Sequence, residues 1–146
     1  FERTNSRIYN EVVRQIITFL DQELLGENGL YYASLDADSE GVEGLYYTWT
    51  FDQLTQLLPF EKHVEFYQTY SIAKNGNWEN GQNILFKNKS ILNSYFNEEF
   101  KTLNQVKQSR IKPALDQKQL LSWNALTLIG LIDASIALND TCVLQR

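Results

Sequence analysis

The stretch QLLSWNALTLIGLIDASIAL, residues 119–138, decides the fold. Leu120, Leu121, Trp123, Leu126, Leu128, Ile129, Leu131, Ile132 and Ile136 leave hardly any polar face, and a helix that is apolar all round is buried all round. Within 146 residues, such a helix predicts more protein around it than the chain supplies, as in an array of stacked helical hairpins. No repeat of fixed period is visible. The chain opens Phe1-Glu2-Arg3, has no Met, and stops at Gln145-Arg146 soon after the apolar stretch, so it is expected to be an internal piece of a larger protein.

Working back toward the N-terminus, Arg110 to Lys118 reads as a polar connection bearing Pro113. Before it, Ile91, Leu92, Tyr95, Phe96, Phe100 and Leu103 recur at helical spacing from Ser90 to about Val106. The Gly- and Asn-rich residues 74–83 read as loop. Helices are also expected over Lys62 to Tyr70 and from Thr50, whose pairing with Gln53 forms a capping box, to just before Pro59. Ile8, Val12, Ile16, Leu20 and Leu24 predict an amphipathic first helix ending near Gly26. Two aromatic runs, Leu30 to Ser34 and Gly44 to Trp49, read as a β-hairpin whose long acidic tip lies between them.

Hydrophobic residues make up 43 % of the chain and aromatics 13 %, ample for a core. The formal charge of −5 and the scattering of Lys87, Lys89, Lys101 and Lys107 argue against nucleic acid as a partner. Cys142 cannot form an internal disulfide, which fits a reducing compartment, and without a nearby His it is not expected to be a nucleophile. No run is expected to reach the roughly 18 apolar residues of a membrane span. Leu126 to Leu138 comes nearest, interrupted by Thr127, Asp133 and Ser135. The expected location is cytoplasmic, without a membrane partner.

The acidic tip places Asp36, Asp38, Glu40 and Glu43 within eight residues. Asp36, Asp38, Glu40 and Gly41 match positions 1, 3, 5 and 6 of a calcium loop, but Tyr47 stands where that loop needs its bidentate carboxylate, so no metal is assigned. A solvated turn with Asp side chains bonded to their own backbone is one reading. The other rests on the aromatics Tyr31, Tyr32, Tyr46, Tyr47 and Trp49: carboxylates accept from sugar hydroxyls while rings cover apolar C–H faces. His63 is expected to serve packing or surface rather than catalysis.

Residues 35–44, LDADSEGVEG, with Tyr47-Thr48-Trp49, then Gly76-Asn77-Trp78-Glu79 with Asn83-Ile84-Leu85, then Leu115 to Lys118 leading to Ser122-Trp123-Asn124-Ala125-Leu126, closely resemble the bacterial YyaL-type proteins. The animal members are the spermatogenesis-associated thioredoxin-like proteins. The likeness covers nearly the whole chain. It implies part of a toroid of helical hairpins, the six-hairpin (α/α) architecture of glycosidases and N-acylglucosamine epimerases, following a thioredoxin-like domain that is not in this chain. Carbohydrate metabolism follows only as an analogy from fold. Gln117 stands where the family usually has a second aspartate and Phe86 where it usually has a histidine, so two ionisable groups are lost.

The expected fold is therefore all-α, a fragment of an (α/α) toroid with a small inserted β-hairpin. The expected pocket takes a carbohydrate or another polar small molecule, with no cofactor. Hydrolysis needs two carboxyl groups roughly 5 to 10 Å apart, for which Asp38 and Asp116 are the candidates. Asp36, Glu40, Glu43, Tyr47, Trp49, Trp78, Glu79, Lys118, Trp123 and Asn124 are the candidate binding residues, Asn124 because an amide on an apolar helix needs partners. The alternative is a non-catalytic ligand-binding or scaffold domain. Redox chemistry lacks its Cys-x-x-Cys, and the isolated piece is expected to self-associate through exposed apolar surface.

Overall fold

A computed structural model describes residues 7–87 and 96–145 and divides them into two compact units. Unit 1 combines the N-terminal part, to Asp36, with the part from Leu115 onward, and unit 2 is Ala37–Ala114.

In unit 1, helix α1 (Arg7–Phe19) follows from the four-residue apolar spacing and widens into a π-helical turn, Leu20–Leu24, before Gly26. Strand β1 (Ser34–Leu35) pairs antiparallel with β6 (Leu115–Asp116). Helix α5 (Leu121–Leu138) ends where Asn139 takes a left-handed conformation, φ 50°, and returns its N–H to the Ile136 carbonyl. Ile17, Tyr31, Leu131 and Val143 form the core, flanked by Val13, Leu20, Leu24 and Leu138.

Unit 2 begins with a hairpin of β2 (Asp38–Ser39) and β3 (Val42–Glu43), closed by Glu40 and Gly41 at φ 55° and 76°. Two successive positive φ values make the tight turn whose twist matches the strands, and glycine supplies the second without strain. Strand β4 (Trp49–Thr50) pairs with β5 (Gln82–Asn83). Helix α2 (Phe51–Leu57) starts at the expected capping box: Thr50 Oγ1 accepts the Gln53 N–H at 3.1 Å and Gln53 Oε1 accepts the Thr50 N–H at 3.0 Å. A 3-10 turn (Phe60–Lys62) leads to α3 (Val64–Thr69), and α4 spans Asn97–Gln108. Phe66 on α3 sits edge-on to Phe96 and Phe100, with ring centres 5.2 and 5.8 Å away, tying α3 to α4. The expected helical positions Ile91, Leu92 and Tyr95 lie outside the described residues.

Several expectations are corrected. The chain is not an all-α toroid piece: short antiparallel sheets occur in both units beside the helices, making the described fold mixed α/β. Two of those strands, β5 and β6, lie in segments that read as loop and polar connection, because each pairs with a partner remote in sequence. The long aromatic hairpin does not form, since its two arms pair elsewhere, through β1–β6 and β4–β5, leaving only the four-residue ladder of β2 and β3. The described chain covers α5 only on the face bearing Leu131 and Ser135 and leaves Leu121, Leu126 and Ile136 88 %, 66 % and 67 % exposed, so the enclosure expected of this helix calls for more protein than the described chain supplies. By length and composition alone, α5 is also long and apolar enough to cross a membrane, contrary to expectation, although core helices share that composition.

Candidate functional site

Arg110 follows α4 and is the organising side chain of unit 2. Its Nη1 donates to the carbonyls of Leu45, Tyr46 and Thr48 at 3.2, 3.0 and 2.7 Å, holding the turn between β3 and β4. Its guanidinium lies 3.8 Å from the centre of the Trp49 ring, within cation–π range. Burial pulls its pKa down from the usual very high value, with Tyr46 acting in the opposite direction. It remains a cation at any physiological pH. Nearby, Ser39 Oγ donates to the Ile111 carbonyl, fastening β2 to the segment after Arg110.

Between these parts lies a cavity of about 340 Å³, lined among others by Glu40, Gln53, Gln82, Ser109 and Arg110. The size is at the lower end for a small-molecule site. Every one of its lining residues belongs to unit 2.

The residues singled out from sequence fall into several settings. Glu40 lines the cavity from the hairpin turn. Asp38 and Glu43 face each other across the β2–β3 ladder, two like charges directly opposed. Tyr47 stands edge-on to Tyr46 at 4.9 Å, with Lys107 Nζ 5.8 Å from its ring centre. Trp49 is buried in the core of unit 2 with Leu54, Phe66 and Leu103. Trp78, half exposed, and Glu79 lie where the chain enters a 3-10 turn before β5.

Asp36, Asp116, Lys118, Trp123 and Asn124 belong to unit 1. Asp116 accepts from Lys118 twice, from Nζ at 3.0 Å and from the backbone N–H at 3.2 Å. Those bonds from Lys118, the side-chain one first, hold the Asp116 carboxyl below the usual carboxylate range. Trp123 is half exposed. Asn124 pairs with the backbone of Tyr31: its Oδ1 accepts the Tyr31 N–H at 2.7 Å and its Nδ2 donates to the Tyr31 carbonyl at 3.0 Å. The amide expected to need partners has them, and they are structural.

The same device recurs in unit 2. Asn83, fully buried, accepts the Ala73 N–H at 2.8 Å and donates to the Ala73 carbonyl at 3.1 Å. Asn77 accepts the Ile84 N–H at 2.9 Å and donates to the carbonyls of Ser71 and Ile84. Among the described residues no group of three or more His, Cys, Asp and Glu is placed to hold a metal. His63 Nδ1 lies 3.1 Å from Glu99 Oε1, between α3 and α4.

No family model matches the sequence. The chain is 26 % identical to human spermatogenesis-associated protein 20 over 89 % of its own length, and 26 % identical to the mouse protein over 94 %. An uncharacterized protein of Caenorhabditis elegans is 25 % identical over 99 % of the chain. The chain spans only 21 % to 24 % of the length of these relatives. The likeness agrees with the resemblance carried by the three motifs and is no stronger than those identities.

Sequence reasoning missed Arg110, Gln53 and Gln82 as cavity residues. In the sequence Arg110 falls in a polar connection, Gln53 in the capping box, and Gln82 in a Gly- and Asn-rich loop. A cue was present in Arg110-Ile111-Lys112-Pro113, a cation just ahead of a helix-breaking proline, but nothing in the local pattern ties it to residues 45–49.

Proposed function

We propose that unit 2 is a ligand-binding domain for a sugar or a similar polar small molecule, held without turnover in the cavity beside Glu40 and Arg110. The observation that carries this reading is the lining itself: carboxylate, amide, hydroxyl and guanidinium groups gathered around about 340 Å³. Several convergent polar groups around one concavity are what fixes a hydroxyl-rich ligand. Binding is preferred to hydrolysis because hydrolysis needs two carboxyl groups and, among the described lining residues, Glu40 is the one carboxylate. The lone Cys142 fits a cytoplasmic location. The relatives' name, spermatogenesis-associated protein 20, carries no chemistry to transfer.

The test is a thermal-shift screen of the intact protein against mono- and disaccharides. A ligand at a hundred times its Kd adds about 2.7 kcal/mol to stability, enough to raise the melting temperature measurably. One or more sugars should do so, and Glu40→Gln with Gln82→Ala should weaken the effect. A screen with no shift for any sugar contradicts the reading.

A second reading, a scaffold role, is favoured by one observation, the exposed apolar surface of α5. Self-association of the isolated chain through α5 is the form it takes here.

A further inference from the structure

The cavity in unit 2 is lined by one guanidinium, Arg110, part of whose donor fork is uncommitted. Gln53 Oε1 accepts the Thr50 N–H, which fixes the amide and leaves both N–H groups of Nε2 to donate. Arg110 spends Nη1 on three carbonyls, while its Nε and Nη2 donors have no hydrogen-bond partner among the described residues, and no carboxylate there pairs with it. The Gln82 side-chain amide is also without a hydrogen-bond partner among the described residues, and the residue bonds through its backbone. Ser109 Oγ donates to the Val106 carbonyl at 2.7 Å. That bond spends its one O–H, and Glu40 on the hairpin turn lines the same cavity as its one carboxylate among the described residues.

A half-buried guanidinium without a counter-charge is costly, and an anionic ligand is the natural remedy. The Trp49 ring and the three carbonyls hold Arg110 in one place, so little side-chain freedom is lost when it binds. A guanidinium edge formed by Nε and Nη2 matches a carboxylate or phosphate in bidentate fashion. Glu40 is suited to accept from ligand hydroxyls at the other side of the same molecule.

We propose that the ligand of this cavity is an anionic sugar, a sugar acid or sugar phosphate, whose charged group is anchored by Arg110 with help from Gln53 and Gln82. This rests on the reading of the cavity as a polar small-molecule site and adds the charge of the ligand to it.

Calorimetric titration of the intact protein with glucose, glucuronate, glucuronate methyl ester, glucose 6-phosphate and inorganic phosphate, at fixed ionic strength, tests it. Glucuronate or glucose 6-phosphate should bind at least tenfold more tightly than glucose and the ester. Whichever of the two binds more tightly identifies the charged group. Arg110→Lys should erase most of that preference, with circular dichroism checking that the variant is folded. Should Arg110→Lys unfold, Gln53→Ala and Gln82→Ala should each reduce the preference. Equal binding of glucose, glucuronate and glucose 6-phosphate would overturn the anionic ligand while leaving the cavity as a sugar site. Binding of inorganic phosphate as tight as that of glucose 6-phosphate would also overturn it, since the sugar would then contribute nothing. Binding of none of them would overturn both readings.

Discussion

Asparagine side chains act here as pieces of backbone. Asn83, Asn77 and Asn124 each satisfy the N–H and C=O of another residue, so these polar positions of the second and third motifs carry the fold. Buried backbone groups must be paired, and these loops lack a ladder partner to do it. Asn83→Ala leaves the Ala73 N–H unpaired while the Ala73 carbonyl keeps the Gly76 N–H, which predicts a loss of about 1–3 kcal/mol, read from the urea midpoint. Gly76 belongs to the same scale. It sits at φ 81°, and a Cβ there would come within 2.4 Å of the Gly81 carbonyl carbon. Gly76→Ala should therefore cost at least about 1–3 kcal/mol from the strained φ alone, before the clash is counted, and the same melts would measure it. The glycine and asparagines are visible in the sequence as loop signals. Which backbone groups they serve is not, since each partner is set by the path of a loop.

Helices were legible and strand pairing was not. The spacing of Ile8 to Leu24 and the Thr50–Gln53 capping box identify α1 and the start of α2, because helix bonds and caps reach only three or four residues along the chain. β1 with β6, and β4 with β5, are pairings of residues far apart in sequence, and two residues per strand give no alternation to read. In β2–β3 the register sets Asp38 against Glu43. Glu43→Lys should thus stabilise this hairpin by roughly 0.2–1 kcal/mol, visible as greater amide protection at Ser39 and Val42. The candidate site was legible only at Glu40. Arg110 meets the turn before β4 through contacts that span most of unit 2, which no local pattern encodes.

At the scale of the whole molecule, the apolar run of α5 is legible as a helix, and the described chain covers only one of its faces. Its exposed Leu126 and Ile136 predict concentration-dependent association of the isolated 146-residue chain in sedimentation, weakened by Leu126→Lys and Ile136→Lys; a strict monomer at all concentrations would contradict this. Stability should also depend on acid. Arg14, through a 2.8 Å side-chain hydrogen bond, holds the Asp140 carboxyl below its usual value, joining α1 to the segment after α5. A depressed carboxylate contributes stability above its unfolded pKa of about 3.9 and loses it as pH falls through the lower folded value. Urea midpoints of the wild type and Asp140→Asn should therefore differ at pH 6 and converge in strong acid, with Asp116 contributing a dependence of the same sign.

The most direct test of the cavity as the binding site is a nuclear magnetic resonance titration of the intact protein that follows the side-chain amide signals of Gln53 and Gln82 and the Arg110 Nε–H. The account predicts that an anionic sugar shifts all three while the Asn124 amide, committed to Tyr31, stays in place. Saturable shifts confined to unit 1, or none anywhere, would contradict it.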